Sequence, residues 1–504
     1  MQAGGGATGI ACLLADTARR LPERTALVHG EQSLRYAELE RAVDRLSARL
    51  REVGGPLEGQ RVAIVAPNVP ALVLALFAAY RAGAVAVPLS ARLREHEIRG
   101  ALEDAKPALV LSVRAHGGYS FADLGRELAR DLSTRWLVVA EDGTIEEDFG
   151  AAAEPAKPLD AAIAAILYTS GTTGQPKGAL VTHVSEVNAG TFLPPVLQLG
   201  PSDAALLVVP ITHRFGYTSL HATIASGGSA VLSDAGASLE PVLQELERGR
   251  VNVLHGTPAL FASLAKARGS ALAGVRGGFV AGSKCPSELL EQLDHGGTRI
   301  LNMYGLTETG AVTNCRLDDP PEVRYETVGP PLPGFEVRIA GEDGEGELQV
   351  RGPGVMPGYH EQPEQTAEAF ADGWFRTGDV ASIDESGAVR ISGRIKEIVH
   401  VGGFNVYPAE VEGVLLTHPG VERAGVVGVP HEKLGEALEA FVVAREGSEL
   451  TAGDLLRFAR ERIAGYKLPY AIRFLDELPT LTSGKPDRGA LAALSASLRE
   501  HATV

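Results

Sequence analysis

Between residues 167 and 178 the chain reads LYTSGTTGQPKG, an apolar run that passes into hydroxyl, glycine and lysine residues with almost no bulk. Such a loop can wrap a polyphosphate. Glycines let the backbone approach closely, Ser170, Thr172 and Thr173 offer hydroxyl donors, and Lys177 supplies a point charge for an anion. It is not a Walker A loop, because Gly178 follows Lys177 where a GK[ST] ending needs a hydroxyl. Taken alone, the same residues also suit a flexible surface loop. Cys12, Cys285 and Cys315 are scattered, no Cys/His cluster has metal-ligand spacing, and no convincing Ser/His/Asp set is present.

The elements that must carry such a loop follow from composition and periodicity. The chain has 504 residues, more than three times a domain of about 150, so several structural units with an ample core are expected. Hydrophobic residues make up 45% and charged residues 22%, ordinary globular values that exclude wholesale disorder. The formal charge of −16 repels phosphate backbones and anionic lipid, so no nucleic-acid partner is expected and any bound anion must meet local positive charge. The most apolar run, 71–80, is about half of the roughly 20 residues a membrane span needs, and no basic residue precedes the N-terminal apolar stretch. A soluble, cytoplasmic chain without a membrane span is the expectation.

From about residue 60, short β-branched runs (62–65, 85–87, 109–111, 206–209, 251–255, 278–281) alternate with helical patterns such as 70–81 and 95–104. After about 330 the texture becomes short strands joined by Gly-Glu-Asp turns, as in antiparallel sheet. Beyond 394 the order is helix (408–416), strand (424–429), strand (439–443), helix (452–463) and strand (472–475), enough for a small α+β domain. The expected fold class is α/β: a large multi-subdomain N-terminal domain of layered sheets and helices over 1–393, a hinge at 394–396, and a small mobile α+β C-terminal domain over 397–504.

The glycine-rich loop resembles the phosphate-binding signature of the adenylate-forming superfamily, which contains acyl-CoA synthetases, adenylation domains of peptide synthetases and luciferases. Ser170, Gly171, Thr172, Thr173, Gly174, Pro176, Lys177 and Gly178 match in order. The resemblance recurs along most of the chain, in YGLTET (304–309), GWFRTGD (373–379), GRIKEIVHVGGFNVYPAEVE (393–412) and TSGKPDR (482–488). It implies that ATP and Mg²⁺ bind here. Tyr304 offers an aromatic face for a purine, Thr307 a hydroxyl for a phosphate, and Glu308 a hard oxygen ligand suited to Mg²⁺. Read singly, Tyr304 would be a core aromatic and Glu308 a solvated charge. The resemblance also implies nucleotide contacts for Thr169, Gly282, Ser283, Lys284 and Gly305. Asp379 would accept hydrogen bonds from both ribose hydroxyls with Arg394 as its cationic neighbour; by themselves they read as a turn-stabilising Asp and a surface Arg. Lys396 would be the hinge. Lys485 would reach the site in the first half-reaction, bridging substrate carboxylate and α-phosphate, although its context alone suggests an exposed tail lysine.

The implied activity is ligation of a carboxylic acid to coenzyme A through an acyl-adenylate, with Gly402 and Gly403 close to the pantetheine arm. A carrier-protein phosphopantetheine as acceptor, or a catalytically silent nucleotide- or acyl-binding homologue, are the alternatives. Dimers are common among similar enzymes, so a homodimer is a further expectation. The acyl pocket would be lined from 210–217, 281–286 and 302–305. His213 would gate or orient the carboxylate, or simply pack. HRFGYTS lacks the Asp that holds an amino group in amino-acid-activating relatives. Lys284, with Arg214, could pair with a second substrate carboxylate, or Lys284 could point to solvent.

Overall fold

A computed structural model describes residues 9–151, 155–169, 177–234, 238–267, 272–341, 344–401, 404–431, 434–463, 465–481 and 484–501. The β-branched runs form Arg61–Ala66, Val85–Ser90 and Leu109–Ser112, which pair in parallel. Strands covered on both faces need apolar runs rather than alternation, and these have them, with polar residues only at their ends (Arg61, Ser90 and Ser112). They centre a seven-stranded sheet with antiparallel edge strands Lys177–Thr182 and Ile145–Phe149. A second sheet of eight strands runs in parallel through Ala204–Leu207, Val253–His255, Gly277–Val280 and Arg299–Leu306, and ends on the antiparallel strand Gly310–Asn314.

Helix Pro70–Arg81 explains the most apolar run of the sequence. Every residue from 70 to 80 is buried, as a helix without a polar face requires. It shares one core with Val62 and Leu109 of the first sheet and Leu207 and Ala230 of the second. Phe77, fully buried, contributes about 1.5–3 kcal/mol by leaving water. Among the described residues no helix is long and apolar enough to cross a membrane.

Several element ends differ from expectation, among them the strand expected at 251–255, which is Val253–His255, and two of the differences have a visible cause. The strand expected at 206–209 is Ala204–Leu207, because Asn68 Nδ2 takes the carbonyls of Leu207 and Val209 at 3.0 Å each and draws the chain out of the ladder. The helix expected at 452–463 stops at Arg460, where the amides of Arg462 and Ile463 both turn back to the Ala459 carbonyl.

After 330 the antiparallel texture is borne out. Glu336–Ala340 and Glu345–Arg351 form a hairpin, joined by Trp374–Ile383 and Val389–Arg394. A small C-terminal α+β unit follows, in which helices Pro408–Leu416, Ala452–Arg460 and Arg488–His501 accompany a sheet centred on Val421–His431 and Gly435–Ala444. Its two apolar clusters draw only on residues between 399 and 498.

Candidate active site

Three expected residues meet in one hydrogen-bonded chain. Asp379 and Arg394 lie opposite each other on neighbouring strands, and Arg394 Nε donates to Asp379 Oδ1 at 2.7 Å. Tyr304, from the end of Arg299–Leu306, donates its phenol to Asp379 Oδ2 at 2.6 Å. Burial and then the Asp379 charge push the Tyr304 phenol well up, so it stays a donor. Burial opposes the charge of Arg394, but Asp379 outweighs it and raises the guanidinium pKa. A carboxylate has about four acceptor sites. Tyr304 and Arg394 occupy one on each oxygen of the buried Asp379, which leaves capacity for two further donors such as ribose hydroxyls.

Lys485 comes to this place from the far end of the chain. Its turn is closed by Leu481 N to Lys485 O at 2.9 Å and Gly484 N to Leu481 O at 2.8 Å. Lys485 is exposed, yet partial desolvation of its ammonium and then the charge of Arg394 lower its pKa, with Asp379 and Glu397 opposing them. Three residues on, Arg488 bonds the buried Glu412 at 2.9 Å and reaches Glu397 at 3.5 Å. It thereby ties the Lys485 turn to the 3-10 turn Ile395–Glu397 that contains Lys396.

A second group forms around Glu308. Tyr359, which no sequence motif singled out, donates its phenol to Glu308 Oε1 at 2.8 Å. The Lys177 ammonium lies 5.1 Å from the centre of the same ring. Lys177 opens the strand that pairs with Thr169, so both ends of the glycine-rich loop are anchored in sheet. Ser170, Gly171, Thr172, Thr173, Gly174, Gly402 and Gly403 lie outside the described residues. Thr307 is half-buried beside Glu308. Gly305 is sterically required, since a Cβ there would sit 2.0 Å from the Gly310 carbonyl oxygen.

The segments expected around the acyl group behave differently. His213 occupies the N-cap position of helix Arg214–Ser226 without a side-chain capping bond, and burial followed by the charge of Arg92 lowers its pKa. Such a histidine is a neutral imidazole that can donate to a carboxylate. Arg214, by contrast, turns away from the role suggested for it. It is buried against Glu186 at 2.8 Å, with His221 Nδ1 on the other Glu186 oxygen at 3.0 Å. The driving reason is charge: Glu186 is itself fully buried, and an unpaired carboxylate there would be costly. Gly282, Ser283 and Lys284 are all exposed, with Gly282 at a left-handed φ of 95°, so Lys284 stands on the surface of its loop. Glu186 and Tyr359 carry no sequence signal of function.

The AMP-binding enzyme family matches residues 14–360, and the AMP-binding enzyme C-terminal domain matches residues 410–485. The chain belongs to the AMP-binding enzymes. It is 36% identical over 488 residues to a feruloyl-CoA synthase of Amycolatopsis sp, covering 94% of this chain and 96% of that one. It is also 36% identical over 494 residues to the 3-[(3aS,4S,7aS)-7a-methyl-1,5-dioxo-octahydro-1H-inden-4-yl]propanoyl:CoA ligase of Mycobacterium tuberculosis, covering 94% and 97%. Among solved structures, ATP-bound MatB from Rhodopseudomonas palustris superposes with a TM-score of 0.83 at 28% identity, covering 97% of this chain and 99% of that one. The o-succinylbenzoate coenzyme A synthetase of Bacillus subtilis in complex with ATP and magnesium ion gives 0.81 at 29%, covering 95% and 98%.

The residues of this AMP-binding enzyme suit both groups. Among the described residues no cluster of three or more His, Cys, Asp or Glu could cage a metal. Mg²⁺ does not need one, because it is commonly held by one or two carboxylates together with nucleotide phosphates and water. Glu308, bonded to Tyr359 through one oxygen, is a carboxylate that could serve in this way.

Proposed function

We infer that this chain is an ATP-dependent acyl-CoA synthetase, an AMP-forming acid–thiol ligase. The observation that carries this furthest is the convergence of Tyr304 and Arg394 on one buried carboxylate, Asp379, in a chain of the AMP-binding family. A nucleoside held there through its ribose would have its α-phosphate in reach of a mobile ammonium.

A carboxylate is a poor electrophile and needs a better leaving group before a thiol can take its acyl carbon. In the first step the substrate carboxylate oxygen attacks the α-phosphorus of ATP in line, and the bond to the β-phosphate oxygen breaks with its electrons leaving on pyrophosphate. Asp379 holds the ribose, Tyr304 offers its face to the purine, and Lys177 and Lys485 counter the phosphate charge. Glu308 would hold Mg²⁺, which when bound would supply further neutralisation of the phosphate charge. His213 donates to the acid and orients it. In the second step the C-terminal domain, which we take to begin after 394–396, turns about Lys396 and withdraws Lys485. The coenzyme A thiol then displaces AMP from the acyl carbon. No side-chain nucleophile is required.

For the acid we propose a cyclic monocarboxylate. Two relatives are named for feruloyl and for a bicyclic propanoyl group. Glu186 neutralises Arg214, the cation of segment 210–217, and Lys284 is exposed, so nothing in these segments favours a second carboxylate. A reducing, cytoplasmic setting agrees with the free thiols of Cys285 and Cys315, which burial pushes up to about 12.

The test is ATP-dependent pyrophosphate release over aryl, alicyclic, fatty and dicarboxylic acids, with and without coenzyme A, followed by mass spectrometry. Acyl-CoA from cyclic monocarboxylates is expected. An acyl-adenylate that coenzyme A does not consume would point to a carrier-protein acceptor, and silence across the panel would overturn the assignment.

A further inference from the structure

Tyr359 touches both groups assigned to the triphosphate end of the nucleotide, although it lies outside every motif read from the sequence. Its phenol bonds Glu308 Oε1 at 2.8 Å, and its ring lies 5.1 Å beneath the Lys177 ammonium. Its backbone is fixed from both sides. Ala179 and Tyr359 form an isolated β-bridge, Leu180 N donates to Gly358 O at 3.1 Å, and His360 N donates to Gly178 O at 2.7 Å. On the other side Met356 N donates to the Glu308 carbonyl at 2.7 Å. Tyr359 N itself donates to Thr366 Oγ1 at 2.9 Å. Residues 356–360 therefore form a strap stitched to the strand that starts at Lys177 and to the turn that presents Glu308.

We propose that Tyr359 is a positioning residue for the metal–triphosphate end of the site: its hydroxyl holds one oxygen of Glu308 so that the other faces a divalent cation, and its ring keeps Lys177 over the same place. A carboxylate tethered at one oxygen by a fixed neutral donor has lost most of its rotamer freedom before the cation arrives. Partners that orient a metal ligand in this way change metal affinity by about 10–100-fold when removed. The ring acts separately, as a cation–π face worth only a few-fold in binding. The proposal rests on the reading of Glu308 as the Mg²⁺ ligand given above.

The test compares full-length wild type, Tyr359→Phe, Tyr359→Leu and Glu308→Gln. ATP binding is measured by titration calorimetry over a range of Mg²⁺ concentrations. Pyrophosphate exchange and acyl transfer from preformed acyl-adenylate to coenzyme A are followed alongside. Tyr359→Phe keeps the ring and is expected to raise the Mg²⁺ concentration for half-saturation about tenfold, with ATP affinity at saturating Mg²⁺ within about twofold and acyl transfer unaffected. Tyr359→Leu is expected to add a loss of about threefold in ATP affinity that saturating Mg²⁺ does not restore. Wild-type Mg²⁺ dependence in Tyr359→Phe, or an equal loss in both half-reactions, would overturn the proposal. If Glu308→Gln kept the full Mg²⁺ response, the assignment of Glu308 would fall first, and the role of Tyr359 with it.

Discussion

The buried pair Arg214–Glu186 can be tested by the replacement Arg214→Met, which keeps volume and removes charge. Glu186, at 0% exposure, would retain His221 at 3.0 Å and the Ser185 hydroxyl at 3.1 Å but lose the guanidinium at 2.8 Å. Removing one partner of a buried pair costs about 3–5 kcal/mol. For an unfolding unit of several hundred residues this lowers the melting temperature by roughly 4–8 °C. Replacing both, as Arg214→Met with Glu186→Leu, leaves no orphan charge and should return within about 2 °C of wild type or above it. The deficit also has a pH signature. Burial raises the Glu186 pKa, but Arg214 first, then His221 and Ser185, more than offset it, so the folded value lies below the ordinary one. A depressed carboxylate gives stability that is complete above its unfolded pKa of about 4.3 and is lost as pH falls through the folded value. Without Arg214, burial raises Glu186 instead, and the neutral acid is preferred. The gap between wild type and Arg214→Met is therefore widest at pH 7–8 and narrows toward about pH 4–5. Thermal unfolding by circular dichroism across this range measures it. A single variant melting within about 1 °C of wild type at neutral pH, or a double variant as damaged as the sum of its singles, would refute the reasoning.

The site makes further demands. Lys485→Ala should slow adenylate formation about 10²–10³-fold while acyl transfer from supplied acyl-adenylate stays within a few-fold; equal losses in both steps would remove Lys485 from the first. Because burial and Arg394 lower the Lys485 pKa and the ammonium is the form present below it, adenylation should decline on the alkaline side before the ordinary lysine value of about 10.4. Lys485→Arg should flatten that limb, as a pH–rate profile would show. Tyr304→Phe deletes the 2.6 Å bond to Asp379 and should raise the KM for ATP about tenfold with kcat largely kept, whereas an unchanged KM would mean that Asp379 does not need Tyr304 to hold the ribose.

The sequence by itself determined what depends on near neighbours. The helix over 70–81 and the strands around it follow from runs without a polar face, and the antiparallel texture after 330 follows from turn residues at short intervals. The pieces of the site that sit within one stretch, such as Tyr304, Thr307 and Glu308, are legible because that stretch resembles a motif of the adenylate-forming superfamily; read singly they suit a core aromatic and a solvated charge. Contacts made across long separations leave no such mark. Tyr304 and Asp379 are 75 positions apart and Glu308 and Tyr359 are 51 apart, and no period or spacing announces that a tyrosine in a Gly-Tyr-His stretch will reach a carboxylate in a distant turn. Arg214 shows the same limit with the opposite result. The sequence left it open to pair, with Lys284, with a second substrate carboxylate, but packing against helix His183–Leu197 gave it Glu186. Only the tertiary structure decides such pairings, because the cost of leaving a charge alone in the interior is set by what else is buried there.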